Sequence, residues 1–323
     1  MMMKGAAVAS TPFAEDVRRY LQQTPRQLPS QYLYDPLGSA LFDAICELPW
    51  YGITRAEIGL LAHHRGEILA QLPDLVCLVE LGPGDGRKLQ TLVERTSAPL
   101  TAHLIDLSAT ALARAAHALS DTPNVTVVTH EASFEDGLDH VAQLSEQDSP
   151  LVLFLGSNIG NFDPPVSLAL LRRIRASLVH GGALLIGADL VKPERDLALA
   201  YDDPLGVSRA FDLNVLLRIN RELGGDFDIR AFQHRAVWNP ACSRMEMFVV
   251  STKRQRVRID AIDLEIELAD GEGIWTESSY KYTIQGLSRQ LEDAGFEPLA
   301  QWIDRKDAFL LSLARTIGPH GRT

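Results

Sequence analysis

Between residues 60 and 191 the chain alternates short apolar runs with amphipathic stretches, and this rhythm restricts the fold more than any other feature. The runs 75–79, 102–105, 125–128, 151–155 and 183–187 have the length and composition of strands buried on both faces. The segments 111–119 and 165–179 between them carry apolar residues at helical spacing. Strand and helix in alternation predict an α/β fold with a doubly wound sheet, because parallel strands are joined by helical crossovers that cover both faces.

After Lys192-Pro193 the rhythm changes. Residues 197–201 and 208–222 read as helices, and 236–238, 245–251 and 256–259 as antiparallel strands with alternating polar and apolar positions. From Thr283 the earlier character returns: 284–294 is an amphipathic helix stopping at Gly295, a natural helix C-cap, and 299–303 and 308–314 read as closing strands. The expectation is a core of residues 58–192 and 281–317, interrupted by an insertion. Residues 1–57, which lack the βα rhythm, are expected to join the insertion 193–280 in a second α+β domain, and 318–323 to fray.

Composition excludes several classes of function. With 31 Lys and Arg against 42 Asp and Glu the net charge is −11, which lacks the basic footprint of a nucleic-acid binder. No apolar run approaches the roughly 20 residues of a membrane span. Residues 1–5 open no apolar leader, so no secretory signal is read there, and the expectation is a soluble cytoplasmic protein that acts as a monomer. Cys46, Cys77 and Cys242 are far apart and odd in number, which favours reduced thiols over a disulfide framework. The nine histidines show no ligand spacing, and His63-His64 would point apart on a helix, so no metal site is expected.

The chemistry-bearing residues lie where strands end. Glu80-Leu81-Gly82-Pro83-Gly84-Asp85-Gly86 is a glycine-rich turn after the first strand, suited to close approach of backbone to ligand. An acidic residue before the glycines, and the absence of a complete G-x-G-x-x-G pattern, favour S-adenosylmethionine over a dinucleotide. Asp106, about twenty residues on, is placed either to accept ribose hydroxyls or to cap the next helix, a role for which Ser108 competes. Lys88 reads equally as a cation for a carboxylate or as a solvated side chain. Gly156-Ser157-Asn158-Ile159-Gly160-Asn161 follows the fourth strand; Asn161 either offers an amide to a ligand or caps the helix near Pro164. The segments 201–207 and 275–282 combine aromatic, hydroxyl and carboxylate groups but read as loops on pattern alone.

Taken together, several segments resemble the S-adenosylmethionine-dependent L-histidine Nα-methyltransferases of ergothioneine biosynthesis. They are Tyr34-Asp35-Pro36-Leu37-Gly38-Ser39-Ala40-Leu41-Phe42, Leu48-Pro49-Trp50-Tyr51-Gly52-Ile53-Thr54-Arg55-Ala56-Glu57, the Glu80 to Gly86 turn, Ile159-Gly160-Asn161-Phe162, residues 201–207, Arg244-Met245-Glu246-Met247 and residues 276–281. The resemblance implies a Rossmann-like class I methyltransferase core with a second, substrate-binding domain. It implies that Tyr51 and Asn161 hold the substrate amine, that Tyr34 and Tyr201 surround the amino-acid head group, and that Phe42 and Met247 form apolar walls. Glu277 and Ser279 match the pair facing the imidazole, which favours L-histidine as substrate over tryptophan-type or arginine substrates. The implied cofactor contacts are Glu80, Gly82, Gly84, Gly86, Lys88, Asp106, Ser133, Phe134 and Gly156. The chain departs from the family at Ala132-Ser133-Phe134, where an acidic residue often precedes Phe, and at Trp50-Tyr51-Gly52, where tandem tyrosines and proline are usual. The expected reaction is Nα-methylation of histidine in three transfers to hercynine. A dinucleotide-dependent oxidoreductase and a non-catalytic cofactor-binding regulator are the alternatives from other classes.

Overall fold

The computed structural model describes residues 11–144, 148–178 and 182–317; the expectations for residues 1–5 and 318–323 lie outside them. In chain order the elements are α1 (Pro12–Leu21), α2 (Pro36–Cys46), α3 (Ile53–Ala70), β1 (Cys77–Leu81), α4 (Arg87–Val93), β2 (Leu100–Asp106), α5 (Ala109–Leu119) and β3 (Val125–Glu131). Then come α6 (Phe134–Leu144), β4 (Leu151–Phe154), α7 (Pro164–Ser177), β5 (Ala183–Asp189), α8 (Glu194–Tyr201) and α9 (Val207–Leu223). The chain ends with β6 (Phe232–Asn239), β7 (Arg244–Ser251), β8 (Gln255–Ile259), β9 (Leu264–Leu268), β10 (Gly273–Tyr280), α10 (Ile284–Asp293), β11 (Phe296–Asp304) and β12 (Phe309–Thr316).

Two compact units result: the described residues of Met1–Tyr51 with Pro193–Ser279, and those of Gly52–Lys192 with Tyr280–Thr323. Residues 53–57, grouped by the sequence pattern with the N-terminal segment, begin α3, which packs on α4, β11 and β12 of the second unit. A continuous helix cannot be split by a change in sequence rhythm, so the division falls before it.

The Gly52–Lys192 unit is the α/β core. Its seven strands run in the order β11-β12-β5-β4-β1-β2-β3. Strands β3, β2, β1, β4 and β5 are parallel, and the β11–β12 hairpin closes the sheet antiparallel to β5. Every residue of β1, β4 and β5 is buried, which is why these segments are continuous apolar runs rather than alternating ones. Val79, Leu81, Val152, Phe154 and Ile186 from the strands meet Leu171, Ile174, Leu287 and Leu291 from α7 and α10 in one apolar cluster. Strand β1 spans 77–81 rather than 75–79: Val76 is half exposed, and apolar character alone does not mark where pairing begins. The order reverses at β1, whose crossover leads to β2 on one side while β4 lies on the other, so a crevice opens outside the carboxyl ends of β1 and β4.

In the other unit β10, β7 and β6 form a three-stranded sheet and β8–β9 a hairpin. Helices α8 and α9 pack on β6 and β7, with Leu197, Met245 and Met247 forming a small buried cluster. Residues 275–280, which read as a loop on sequence pattern, belong to strand β10; the run of Thr276, Glu277, Ser278 and Ser279 hides the apolar alternation that marks β6 and β7. Strand β9 shows the same alternation, its buried Leu264, Ile266 and Leu268 alternating with exposed glutamates.

Asp35 ties α2 to α9. It caps α2 by accepting from Gly38 N–H at 2.7 Å, accepts from the buried Asn214 amide at 2.7 Å, and pairs with Arg221 at 2.6 Å. Burial alone would raise its pKa; the bonds from Arg221, Gly38 and Asn214 outweigh that and hold it below the ordinary carboxylate value. Asp35→Ala removes a helix cap and leaves the Asn214 amide without this acceptor. It should cost about 2–4 kcal/mol, read as a lower urea midpoint. A midpoint within error of the parent protein would show that this tie is not structural.

Candidate active site

The turn after β1 is built as its glycines suggest. Gly82, Gly84 and Gly86 all have positive φ (72°, 59° and 80°). A Cβ at Gly86 would lie 2.8 Å from the Ala115 backbone, so the turn also needs glycine for close packing on α5. Glu80 lies inside β1, 1% exposed, and its Oε2 has no hydrogen-bond partner among the described residues. Burial pushes its carboxyl up to about 8, assisted by Glu57 and Asp85 and opposed by Lys88.

Glu57 was not predicted as a site residue, yet it organises this crevice. It is fully buried on α3, accepts from Gly156 N–H with both carboxylate oxygens (3.0 and 2.8 Å), and pairs with Lys88 Nζ at 2.8 Å. Lys88 is therefore not a solvated surface side chain. It stands over Gly156, where an added Cβ would come within 2.8 Å of its Nζ. Nothing in the helical pattern around Glu57 marks it, since its partners are distant in sequence. The chain leaving β4 turns through Gly156 and Ser157, both at positive φ (78° and 57°), and Asp189 N–H donates to Ser157 Oγ at 2.9 Å. A non-glycine residue in that region is held by its surroundings and marks a specialised turn.

Other predicted residues of this unit fall around the same strand ends. Asp106 ends β2 and accepts from Ser108 N–H at 2.8 Å, while Ser108 caps α5. Burial raises the Asp106 pKa, partly offset by the Ser108 and Leu107 N–H groups. Phe134 meets Phe154 edge-on at 5.8 Å, and its Cζ lies 3.5 Å from where a Gly82 Cβ would be. The Ser133 hydroxyl is engaged with Asp136 at 2.9 Å and accepts its N–H, capping α6. Asn161 ends the 3-10 turn Asn158–Asn161; the N-cap of α7 is Asp163, so the capping alternative for Asn161 does not hold.

The remaining predicted residues belong to the other unit, where the fold brings them together. Tyr34 packs against Phe42 (5.4 Å) and Phe211 (5.3 Å), Phe42 against Tyr51 (6.2 Å), and Tyr51 against Tyr201 (6.4 Å). Tyr201 hydroxyl and Ser279 Oγ share a hydrogen bond of 2.8 Å, and Tyr201 borders the Met245–Met247 cluster. Glu277 and Ser279, two apart on β10, point to one face. Burial raises the Tyr34 pKa well above its usual value, and Glu277 raises it further. Phe211 was missed because it sits within an ordinary amphipathic helix.

Tyr201 is also held from behind. His234 Nε2 lies 2.8 Å from the Tyr201 carbonyl oxygen, and Nδ1 lies 2.7 Å from Asp212 Oδ2. Burial would lower the His234 pKa, but Asp212 and the Tyr201 carbonyl outweigh it and hold it above the ordinary histidine value. The expectation that His63 and His64 point apart is corrected: their rings meet at 4.6 Å because His64 leans onto Trp302 at 5.6 Å.

Among known families, the SAM-dependent, histidine-specific methyltransferases match residues 13–316 of this chain. The chain belongs to that family. As a family member it resembles the histidine N-alpha-methyltransferase of Mycobacterium tuberculosis, 39% identical over 303 residues that cover 93% of each protein. The histidine N-alpha-methyltransferase of Mycolicibacterium smegmatis is 38% identical over 310 residues, 95% of each. Ergothioneine biosynthesis protein 1 of Neurospora crassa is 27% identical over 310 residues, which cover 90% of this chain but 33% of that longer protein. For a histidine-specific methyltransferase the donor is S-adenosylmethionine, and the strand ends suit it. A buried carboxyl with one oxygen lacking a hydrogen bond, beside a glycine turn that lets a ligand come close, is complementary to a ligand bearing an ammonium and hydroxyls. Among the described residues no helix is long and apolar enough to cross a membrane.

The raised pKa of Glu80 has a sign that thermal unfolding can read. Its folded-state value of about 8 lies above the ordinary 4.5, so the stability it contributes is present below pH 4.5 and lost as pH rises through about 8. The ligand-free methyltransferase should lose up to a few kcal/mol from this group between about pH 5 and pH 8, and Glu80→Gln should flatten that slope. Parallel melting curves for parent and variant across that range would show that Glu80 keeps an ordinary pKa.

Proposed function

We propose that the protein transfers methyl groups from S-adenosylmethionine to the α-amino nitrogen of L-histidine, three times in succession, giving the betaine hercynine for ergothioneine biosynthesis. The observation that carries the substrate side is the pairing of Glu277 and Ser279 on one face of β10, next to the row of Tyr34, Phe42, Tyr51 and Tyr201. A carboxylate beside a hydroxyl offers partners for both imidazole nitrogens, while an indole has a single N–H and needs no anion. In this reading the unit of residues up to 51 with 193–279 binds the amino acid. The core unit binds the methyl donor.

S-adenosylmethionine, when bound, supplies a methyl group on a positively charged sulfur. On the protein side, Asp106 would accept the ribose hydroxyls, and Glu80 with the Gly82, Gly84 and Gly86 turn would take the polar end of the donor's amino acid. Lys88, steered by Glu57, would offer a cation to its carboxylate beside Gly156. Ser133 and Phe134 would flank the adenine, with Ser133 contributing mainly as the cap that fixes the start of α6.

Methyl transfer demands alignment of the attacking nitrogen more than strong base chemistry. Tyr51 and Asn161 are assigned to hydrogen-bond the amine and aim its lone pair. The α-ammonium of an amino acid is mostly protonated at neutral pH, and a carboxylate at that position would hold the unreactive charged form. A phenol and an amide do not, and they tolerate an amine that loses one N–H per round. Tyr34, kept protonated by burial and by Glu277, remains a donor near the head group, and Tyr201 is assigned to the carboxylate. Phe42 and Met247 supply apolar walls. Together with the net charge of −11, this reading favours a small-molecule enzyme acting as a cytoplasmic monomer, with neither nucleic acid nor membrane as partner.

Two substitutions test the assignment. Glu277→Ala should reduce kcat/KM for histidine by about tenfold to a hundredfold, the cost of one charge-assisted hydrogen bond, while S-adenosylmethionine affinity stays within about twofold. Unchanged histidine turnover, or a preference for tryptophan or arginine in product mass spectrometry of the parent enzyme, would overturn the substrate. Asn161→Ala should lower kcat and weaken histidine binding with little change in donor affinity; normal methylation by this variant would remove Asn161 from the amine site.

A further inference from the structure

We propose that His103, His130 and His140 form a binding site for one divalent transition-metal ion of the zinc type, separate from the methyl-transfer residues. One ring nitrogen from each histidine lies within 4.8 Å of the other two. His103 Nδ1 and His130 Nε2 are 3.0 Å apart, and the His130 and His140 ring centroids 4.3 Å apart. None of the three takes part in the amino-acid or donor contacts assigned above.

The fold explains the convergence. Strands β2 and β3 pair in parallel with His103 opposite Val128 and Ile105 opposite His130, so both histidines project from the same face of the sheet. Helix α6 covers that face closely: a Cβ at Gly137 would clash with the Ile105 side chain, so glycine permits this approach. His140 follows Gly137 by three residues, almost one helical turn, and is thereby lowered onto the two strand histidines. The three positions show no ligand spacing along the chain, which is why the sequence pattern predicted no metal.

The chemistry of the donor set suits a transition metal. Burial pushes the His103 pKa down to about 4, with His130 and His140 adding to the effect, and burial with His140 lowers His130 as well. An imidazole in its neutral form keeps the lone pair a metal needs. Three imidazoles with a fourth position left to water is an established zinc donor set, and imidazole prefers zinc, nickel or copper over calcium or magnesium. Bonds of about 2.0–2.1 Å in a tetrahedral site bring the nitrogens to roughly 3.3 Å from one another, so the His103–His130 spacing is already close and the remaining contacts tighten by rotamer adjustment. His130 and His140 are half-buried, leaving an entry from solvent on an edge strand. Occupancy would brace α6 against β2 and β3.

The experiment uses untagged protein stripped with a chelator, titrated with Zn2+ against a chromophoric competitor, and separately with Co2+ followed by visible absorption. The parent protein should bind one equivalent of zinc, give the d–d bands of nitrogen-coordinated cobalt, and melt at a higher temperature with zinc than without. His140→Ala, and His140→Gln as a variant that retains side-chain bulk, should weaken zinc binding by about tenfold or more and abolish the thermal shift, while melting normally without metal. Zinc affinity equal in parent and either folded variant, or no cobalt bands in the parent, would overturn the site.

Discussion

Carboxylates buried at the carboxyl edge of a parallel sheet are the constraint around which the core is arranged. A charge removed from water is costly unless it meets a counter-charge and hydrogen bonds. Asp189, at the end of β5 and 1% exposed, is met by Lys192 at 2.6 Å and by the fully buried Lys281 at 2.9 Å. Glu57 is met by Lys88 and by the backbone N–H of Gly156. These pairs fix the loops that leave β4 and β5, and they leave Glu80 of β1 with an oxygen unpartnered. A buried oxygen kept short of partners is complementary to a polar ligand, and the glycine turn beside it lets that ligand come close.

The other unit works by enclosure rather than by charge pairing. Tyr34 meets Phe42 and Phe211, Phe42 meets Tyr51, and Tyr51 meets Tyr201 edge to face, the arrangement aromatic quadrupoles favour, while Phe42 and Phe211 meet at a tilt. Rings locked in this way have little rotamer freedom, so their hydroxyls keep fixed positions. The Asp212–His234 pair fixes the Tyr201 backbone, and Asp35 fixes α2, which carries Phe42, to α9, which carries Phe211. Buried polar ties thus orient an aromatic surface they do not themselves belong to.

Much of this was legible along the chain. The continuous apolar runs identified the parallel strands, and the turn glycines were read correctly at Gly82, Gly84 and Gly86 because positive φ is a local requirement. Strand β10 was not legible, because its polar run carries the residues that define its surface and so breaks the pattern used to find strands. Glu57, Phe211 and His234 were missed for a different reason: each sits in an ordinary helix or strand and gains its role from a partner far away in sequence.

The sequence by itself determined the net negative charge, which is a sum over the chain, and the alternation of strand and helix and the turn after β1, which depend on residues within one turn or one strand of each other. Only the tertiary structure decided which carboxylates are paired, that Lys88 stands over Gly156, and that His103, His130 and His140 converge beneath α6. Such juxtapositions follow from strand order, register and helix approach. Those are settled by packing of the whole core, which no local spacing encodes.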